Sequence, residues 1–484
     1  MSRATLARRT LGSGALFVFA VGASSPLTVL IGGVVAMYAL TGVVGVPLSF
    51  LVIMVVLGLL AVGYVTMGKH VVHSAPFYAQ LIRGFNPAIG LAGAAVALLG
   101  YNSIQISLYG LIGSTMATLG GGQWWAWAAG AWAIVAILGQ FRGVANAKVL
   151  GSLLALEIGI ILLFDIAAFA NPADGAVSLT PLVPSSLMVG GVSGALAFAM
   201  AAFTGVESPP AFGEEARSPQ VVRWATFGGI VFLGVFYALS SWAYATAAGP
   251  ANVVEASRDP ERGPFAVLSH VFGPGLVMLA TLLLVTSILT AMSAFHATVA
   301  RYVFALARER VLPTSWARVS MGSTGGAPRG GSVLQSTVAA LVVGAFAVAK
   351  ANPMDTMFVW LSTIGAVCVL VLLTASTWAA RSFFAAGGGA RESGLIREVI
   401  PSVGGVVGVL VLVFMVSNLS SLLGTPPGSH LPWLVVVLVA TAMTIGLAWG
   451  GVLRHTNPQV YGQLGRGTPD PLTVLDQRLS DLAV

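Results

Sequence analysis

Long apolar segments follow one another along almost the whole of this 484-residue chain, and the gaps between them are too short for a soluble domain. Hydrophobic residues make up 57% of the sequence and charged residues only 8%, whereas soluble chains carry about 25% charged residues. No soluble fold of this length can bury so much apolar surface. The sequence therefore predicts an all-α membrane protein with short tails.

A helix needs about 20 apolar residues to cross a bilayer, and this criterion predicts twelve transmembrane helices. The basic N-terminus with its apolar continuation is similar to a signal peptide, but the apolar stretch continues to about Leu40 and is better interpreted as the first helix. Residues 1–13 and 454–484 remain as tails. The two longest segments are expected to tilt or to extend beyond the membrane. The predicted helices are 14–40, 43–68, 86–118, 122–140, 146–170, 187–213, 221–248, 266–307, 332–350, 355–384, 399–423 and 431–453.

Lysine and arginine are distributed very unevenly between the two sides of these helices. With the N-terminus inside, all 23 of these residues except Arg258, Arg262 and Lys350 fall on the inner side. Loops rich in lysine and arginine stay in the cytoplasm. We therefore expect a plasma (inner) membrane protein, bacterial in type, with both termini in the cytoplasm.

One short motif occurs twice inside apolar segments. The first predicted helix contains GASSP at residues 22–26 and the sixth contains GVESP at residues 205–209, and both fit G-x-x-S-P. Glycine permits non-helical backbone angles, proline cannot continue a helix, and Ser-Pro suits the start of a new helix. Two matching motifs favour two broken helices over two simple kinks. Five helices per repeat also means that the two units have opposite orientations, and matched broken helices point to the binding site of a transporter.

Two further stretches accompany the second motif. The sequence FTGVES at 203–208 continues to GEEARSP at 213–219, and the eighth helix ends in FHATVARYVFALARERVLP at 295–313. These stretches resemble the sixth- and eighth-helix signatures of the amino acid–polyamine–organocation (APC) family of secondary transporters. The resemblance covers roughly the first ten helices. It implies a LeuT-type fold, a five-plus-five inverted repeat of residues 14–170 and 187–384, with two extra helices in 399–453.

The two breaks offer groups that suit both ends of an α-amino acid. A helix that restarts near Pro26 presents free N–H groups at Ser24, Ser25 and beyond, which suit a carboxylate, while carbonyl groups near Gly22 and at residues 203–205 suit an ammonium group. A polar stripe of Asn102, Gln105 and Tyr109 on the third helix either lines the pocket or bonds helices together. The predicted substrate-binding residues are Gly22, Ala23, Ser24, Ser25, Pro26, Asn102, Gln105, Phe203, Thr204, Gly205 and Glu207.

Two acids are expected inside the membrane, where a carboxylate is costly and marks a functional hypothesis. For Glu207 the resemblance implies proton coupling and gating, and the alternatives are contact with a substrate amine and capping of the restarted helix. Glu157 stands where several proton-coupled relatives have lysine. A desolvated carboxyl group can carry a proton near neutral pH. The alternatives are a structural hydrogen-bonding role, or a sodium ion shared with Thr286, Thr290 and Ser293, which lie on one face of the eighth helix.

Three other acids are interpreted from their positions. Asp165, eight residues beyond Glu157, is expected near the outer end of the fifth helix and in contact with solvent. Glu214 and Glu215 lie on the inner side with Arg217 and Arg223 and predict an inner gate or an ion-pair network.

Other classes of function find little support. No GxxxxGK[ST], HExxH or GxSxG motif occurs, so neither direct ATP driving nor a membrane enzyme is indicated. Cys368, the only cysteine, can form neither an internal disulfide nor a cysteine metal site. We predict a proton-coupled amino acid permease without cofactor or nucleic-acid partner, a monomer or homodimer that binds a small-molecule substrate and lipid. A polyamine or amine transporter, an exchanger and a sodium symporter are the alternatives.

Overall fold

The structure is a computed structural model that describes Leu6 and residues 9–141, 143–259, 262–320, 326–426 and 428–467, with the backbone alone at 143–147. Every named element within these ranges is a helix. Part of the predicted N-terminal tail and residues 468–484 of the predicted C-terminal tail lie outside the described residues, as do Arg3, Arg8, Arg142 and Arg478 of the orientation argument.

Within the described ranges, ten helices are long and apolar enough to cross a membrane, and two shorter apolar helices, Trp124–Leu138 and Val192–Ala202, occupy the other predicted positions. The main helices are α1 (Ser13–Thr41), α2 (Val46–His70), α3 (Pro87–Gly120), α4 (Trp124–Leu138), α5 (Gly143–Ala170), α6 (Val192–Ala202), α7 (Pro219–Ala248), α8 (Pro274–Arg308), α9 (Arg329–Val348), α10 (Pro353–Ala385), α11 (Leu395–Ser417) and α12 (Trp433–Thr456). Short helical elements that connect or extend them include Pro76–Gly84, Thr180–Leu182, Pro184–Leu187, Pro209–Phe212, Val253–Ala256, Pro264–Phe272, Thr314–Ala317, Leu419–Leu422 and Pro458–Tyr461.

Proline marks the start of many of these helices. Pro87, Pro219 and Pro274 are the first residues of α3, α7 and α8. The first N–H groups of a helix have no partner within it, so the missing N–H of proline costs nothing there, and its fixed φ already suits the helix. At α3 the Asn86 side chain also accepts a hydrogen bond from the Ile89 N–H at 3.0 Å. These local signals explain why most predicted boundaries lie within a few residues of the observed ones.

The predicted eighth helix, 266–307, is wrong as a single element. It consists of the short helix Pro264–Phe272 and the 35-residue α8, separated by Gly273 with φ +79°. Glycine adopts this left-handed backbone without a steric penalty, and Pro274 then starts a new helix. The start of the predicted segment therefore belongs to a separate short helix, while α8 itself, at 35 residues, is still longer than the roughly 20 residues of a simple span.

The interior is organised around α1 and α3. The long α3 packs against α8, α10 and α12, and α1 packs against α5, α7 and α8. This packing places the first motif, in α1, among three other helices. On α11 and α12, by contrast, large apolar side chains such as Leu410, Val413 and Ile445 are exposed, as expected of surfaces that face lipid.

Candidate functional site

The first G-x-x-S-P motif interrupts α1 at a single residue. The first half of the helix ends at Ser24, the backbone of Ser25 is left-handed with φ +48°, and the second half starts at Pro26. The expected break is present, but Gly22 stays helical. The expectation that glycine supplies the unusual angle is wrong here, and a serine bears that steric cost instead.

The second motif produces a longer break. Helix α6 ends at Ala202, residues 203–207 form consecutive turns, and after Ser208 the chain makes one 3-10 turn at Pro209–Phe212. The break predicted in the sixth span, 187–213, is therefore present, and it is longer than the motif alone indicates. Gly205, with φ +111°, supplies the left-handed angle in this break, as expected for glycine.

The two breaks contact each other. A Cβ atom on Gly205 would lie 2.6 Å from Cβ of Ala23, so only a glycine permits this approach. The Ser24 hydroxyl lies 3.5 Å and 3.3 Å from the carbonyl oxygens of Phe203 and Thr204. The structure thus brings together the predicted residues of both motifs, although they are about 180 residues apart in sequence.

Glu157 occupies the N-terminus of the second half of α1. Its Oε1 accepts a hydrogen bond from the Leu27 N–H at 2.6 Å and one from the Ser287 hydroxyl at 2.7 Å, and the side chain is buried. The Ser25 N–H donates to the Gly22 carbonyl at 3.2 Å. The expectation of free N–H groups at this restart is therefore wrong for Ser25 and Leu27. An acid of the protein takes the place expected for a substrate carboxylate.

Three hydroxyl groups continue from this carboxylate. Ser287 lies 2.6 Å from the hydroxyl of Ser25, which lies 2.8 Å from that of Thr28. Together with Glu157 Oε1, these atoms form a chain of four oxygens between α1, α5 and α8. Sequence reasoning missed Ser287 and Thr28.

The predicted hydroxyl face of α8 does not meet Glu157 in this structure. The hydroxyls of Thr286, Thr290 and Ser293 each donate to a carbonyl of their own helix, at 3.0, 2.9 and 2.8 Å. One residue along a helix turns the side chain by about 100°, so Ser287 points to Glu157 while Thr286 does not. Thr290 approaches the first break through its methyl group, which lies beside Gly22.

Glu207 plays a corresponding part at the second break. Its Oε2 accepts a hydrogen bond from the Gly205 N–H at 2.8 Å, and its carbonyl accepts one from Tyr64 at 3.3 Å. Tyr101 and Tyr302 also interact with the buried carboxyl group. Glu207 therefore caps the break itself and not the turn that follows it.

The polar stripe of α3 divides into two environments. Gln105 bonds to Tyr109 at 3.0 Å and to Gln335 of α9 at 2.7 Å, in accordance with the helix-bonding alternative. Asn102 donates to the Leu98 carbonyl of its own helix at 2.7 Å. The α3 side chain that interacts with a break is Tyr101, which sequence reasoning did not single out because aromatic residues are common in membrane helices.

Ion pairs join the segment after the second break to α8, on the face predicted to be cytoplasmic. Glu214 accepts two hydrogen bonds of 2.7 Å from the Arg308 guanidinium, and Glu215 accepts one from Arg301. The expected network exists, but these partners replace the expected Arg217 and Arg223. Burial alone would raise the pKa of Glu214, but Arg308 outweighs it and lowers the pKa to about 2.

Glu309, directly after α8, joins three parts of the chain on the same face. Its carboxylate accepts hydrogen bonds from His73 at 2.9 Å and Tyr78 at 2.8 Å, and from the N–H groups of Gly465 at 2.8 Å and Gly467 at 3.0 Å. Burial opposes ionisation, but His73 and these donors hold the pKa of Glu309 below its usual value. The segment after α12 is thus docked between the α2–α3 connection and the end of α8.

Asp165 lies in α5 and is buried, with 3% of its surface exposed. The expectation that it is in contact with solvent is wrong, because α7 covers it and Ser240 donates a hydrogen bond to Oδ2 at 3.1 Å. The sequence of α5 alone carries no information about that covering helix.

Comparison with known proteins shows which family the sequence matches and which known fold the structure is similar to. A sequence profile described as amino acid permease matches residues 11–447. The fold is similar to a crystal structure of a mutant of the Eremococcus coleocola manganese transporter, with a TM-score of 0.58, 12% identity, and coverage of 92% of this chain and 96% of that one. No curated protein matches the sequence. Among the described residues, no group of three or more His, Cys, Asp and Glu side chains is placed to hold a metal ion.

Proposed function

This chain belongs to the amino acid permease family, and on that premise we propose that it moves an amino acid across the plasma membrane by alternating access. It is a membrane transporter and not an enzyme. We further propose twelve transmembrane helices in a LeuT-type inverted repeat, residues 14–170 and 187–384 with additional helices in 399–453, and both termini in the cytoplasm. The matched breaks in α1 and α6 support this arrangement.

The observation that carries the proposal is the shared construction of the two breaks. They touch at Ala23 and Gly205, and each has a backbone N–H bonded to a buried acid, Leu27 to Glu157 and Gly205 to Glu207. Unpaired peptide groups and carboxylates are costly at membrane depth. We infer that these peptide N–H groups and buried acids exchange their partners during transport.

The substrate contacts the backbone of the breaks. The Thr204 carbonyl, whose one hydrogen bond among the described residues is the long one from the Ser24 hydroxyl, and the Phe203 carbonyl, which also accepts from the Val206 N–H at 3.1 Å, are the proposed acceptors for an ammonium group. Glu207 adds a carboxyl group beside them, which also suits the second amine of a cationic substrate or polyamine. Asn102 and Gln105 stay proposed substrate-binding residues, although in this structure they bond within α3 and to α9.

Glu157 is the proposed proton carrier. As a carboxylate it is stabilised by the Leu27 N–H, the Ser287 hydroxyl and the positive end of the second half of α1. Protonation removes the charge and weakens these contacts. The proton on Glu157 therefore controls how firmly α5 is attached to α1 and α8, and this connects proton binding to the change of conformation.

Sodium coupling is the alternative that a specific observation favours. Glu157, Ser25, Ser287 and Thr28 present four oxygen atoms at successive distances of 2.6–2.8 Å. Hard oxygen ligands of this kind suit a sodium ion. The site would then use Ser287 and Thr28 in place of the predicted Thr286, Thr290 and Ser293.

Uptake into proteoliposomes tests the proposal. A labelled panel of amino acids, putrescine and agmatine is offered under a pH gradient, under a sodium gradient, and under neither. We expect accumulation of an amino acid under the pH gradient alone.

Each other result has a defined meaning. Accumulation only with sodium selects the oxygen cluster as a sodium site, and accumulation of only putrescine or agmatine selects the amine alternative. Flux only against preloaded substrate identifies an exchanger. No flux of any panel member contradicts the proposed substrate class.

A further inference from the structure

Asp165 is a second buried acid on α5 that the two breaks do not use. Its carboxyl group has one bond, from Ser240 at 3.1 Å, and Oδ1 is buried without a hydrogen-bond partner among the described residues. An isolated ionised carboxylate in such surroundings is very costly, so the group is held neutral unless a proton leaves it transiently. An unpartnered buried oxygen also costs free energy unless it gains a partner, and water is a suitable one.

No charge on the neighbouring helices compensates this acid. The titratable residues of the helices and short segments packed against α5 are Tyr38, Arg223, Tyr237, Tyr244, His270, His296, Arg301, Tyr302 and Arg308. Within the described part of the chain, Ser240 is the only side chain found to interact with the Asp165 carboxyl group. Asp165 is therefore not one half of a structural ion pair.

The position of Asp165 relates it to Glu157. Both acids lie on α5, eight residues and about 12 Å apart along the axis, and both face α7, which presents Tyr237 near Glu157 and Ser240 to Asp165. Asp165 is five residues, about 7.5 Å, from the end of α5 at Ala170. It is thus the intermediate acid between Glu157 and the proposed outer surface.

A second unpartnered group extends this line outwards. Thr246, near the end of α7, is buried and its Oγ1 has no partner among the described residues. Its carbonyl accepts a hydrogen bond from the Ala173 N–H at 3.1 Å, where the loop after α5 meets α7. Polar groups of α5 and α7 therefore extend from the loop after α5 to the first break, and Asp165 and Thr246 each have a buried oxygen without a partner among the described residues.

We propose that Asp165 is a proton relay that supplies Glu157 from the outer side along the α5–α7 seam. This inference rests on the proposed proton coupling. In each cycle the neutral Asp165 gives its proton, through water in the seam, to the Glu157 carboxylate. Glu157 becomes the neutral acid and later in the cycle releases this proton towards the inner side, while Asp165, now a carboxylate, regains a proton from the outer surface, so one proton moves inwards per cycle and no other bond changes.

The test compares net proton transport with exchange in proteoliposomes. The probe is an equimolar mixture of the standard amino acids, and a pH-sensitive dye trapped inside reports proton entry. Counterflow of the labelled mixture against unlabelled mixture reports exchange, which needs no net proton movement. We expect Asp165→Asn to lose amino-acid-driven proton entry while counterflow remains, and Asp165→Glu to restore proton entry. Asp174→Asn, at an exposed acid in the loop after α5, is the matched control and is expected to behave as wild type.

Other outcomes overturn the inference in distinguishable ways. Proton entry per transported molecule in Asp165→Asn that equals the wild-type value shows that Asp165 is not on the path. Parallel loss of counterflow and proton entry that Asp165→Glu does not repair shows a structural role. Wild-type transport without proton entry contradicts the coupling proposal itself and this inference with it.

Discussion

Glu157 and Glu207 are each bonded to a backbone N–H that a helix break leaves free. In water such a bond contributes little, but in a membrane interior neither the N–H nor the acid has an alternative partner. The two residues therefore stabilise the breaks and at the same time make them sensitive to anything that protonates or displaces an acid. Glu157 links α5 to α8 through Ser287, and Glu207 interacts electrostatically with tyrosines of α2, α3 and α8.

The substitution Glu157→Gln removes the titratable carboxyl group of this residue and keeps the shape of its side chain. The amide oxygen still accepts from Leu27 and Ser287, but the side chain can no longer exchange a proton. We expect the variant to fold and to exchange substrate while its uptake no longer depends on the driving ion. The measurement is proteoliposome uptake under pH and sodium gradients, with Glu255→Gln, at a 73% exposed side chain, as control. Wild-type pH and sodium dependence in Glu157→Gln would remove Glu157 from the coupling mechanism.

Gly205→Ala tests whether contact between the breaks is essential. A Cβ here would meet Ala23 at 2.6 Å, and the φ of +111° is unfavourable for alanine. We expect a loss of about 1–3 kcal/mol in stability from strain and overpacking, together with reduced transport. Thermal unfolding of the purified protein and uptake measure the two effects. Gly344→Ala on α9, where a Cβ meets no atom within 4 Å, is the control, and equal melting temperatures for the two variants would show that the break tolerates a side chain.

At the scale of helices, the sequence allowed most boundaries and both breaks to be predicted because their signals are local. Proline in the first turn and a repeated G-x-x-S-P motif act within a few residues of themselves. Local signals were insufficient at two positions. The Gly273–Pro274 pair ends one helix and starts another, but the prediction placed both residues inside one long helix. At the first break, Ser25 adopts the left-handed angle that was expected of Gly22.

Contacts between helices were much less predictable than the helices themselves. The predicted partner of Glu157 on α8 was Thr286, whereas the observed partner is the next residue, Ser287. Neighbouring residues of a helix point in directions about 100° apart, so an error of one residue selects the wrong face. The burial of Asp165 depends on α7, more than 70 residues away. Helical rotation and pairing are set by packing of the complete bundle, and one sequence does not specify them locally.

For the molecule as a whole, three acids, Glu214, Glu215 and Glu309, hold the proposed cytoplasmic face together. All three link α8 or its end to other segments: the chain after the second break, the α2–α3 connection, and the segment after α12. A path to the cytoplasm through this face requires these links to separate. These links close the face that we propose to be cytoplasmic.

Glu309→Gln is expected to make this side open more often. Hydrogen bonds to a charged group contribute about 1.5–3 kcal/mol each, and the amide retains the geometry but not the charge. A cysteine at Ala297, beside a small cavity lined by Phe19 and Arg301, reports opening by its alkylation rate, because the native Cys368 is fully buried. We expect faster alkylation in Glu309→Gln and an unchanged rate in Glu398→Gln, at an exposed acid. Equal rates in both would show that Glu309 does not restrain opening.

Glu214 contributes to the acid stability of the protein. Its pKa falls from 4.5 to about 2 in the folded state because of Arg308. A lowered pKa stabilises the fold fully above pH 4.5, and this contribution is lost as the pH falls towards 2. The difference corresponds to about 3 kcal/mol. We expect the melting temperature to include this contribution from neutral pH to about pH 5 and to fall below that, and Glu214→Gln to show a smaller fall over the same interval. Identical pH profiles would contradict the assignment.

The docking of the segment after α12 onto Glu309 also bears on how the protein is made. Two of the donors to this carboxylate, Gly465 and Gly467, are synthesised more than 150 residues after it. While a ribosome is still producing the last helices, Glu309 must rely on His73 and Tyr78 alone. Newly inserted chains therefore acquire these two bonds only after the residues that follow α12 have been made, and a chain that stops before Gly465 would enter the membrane without them.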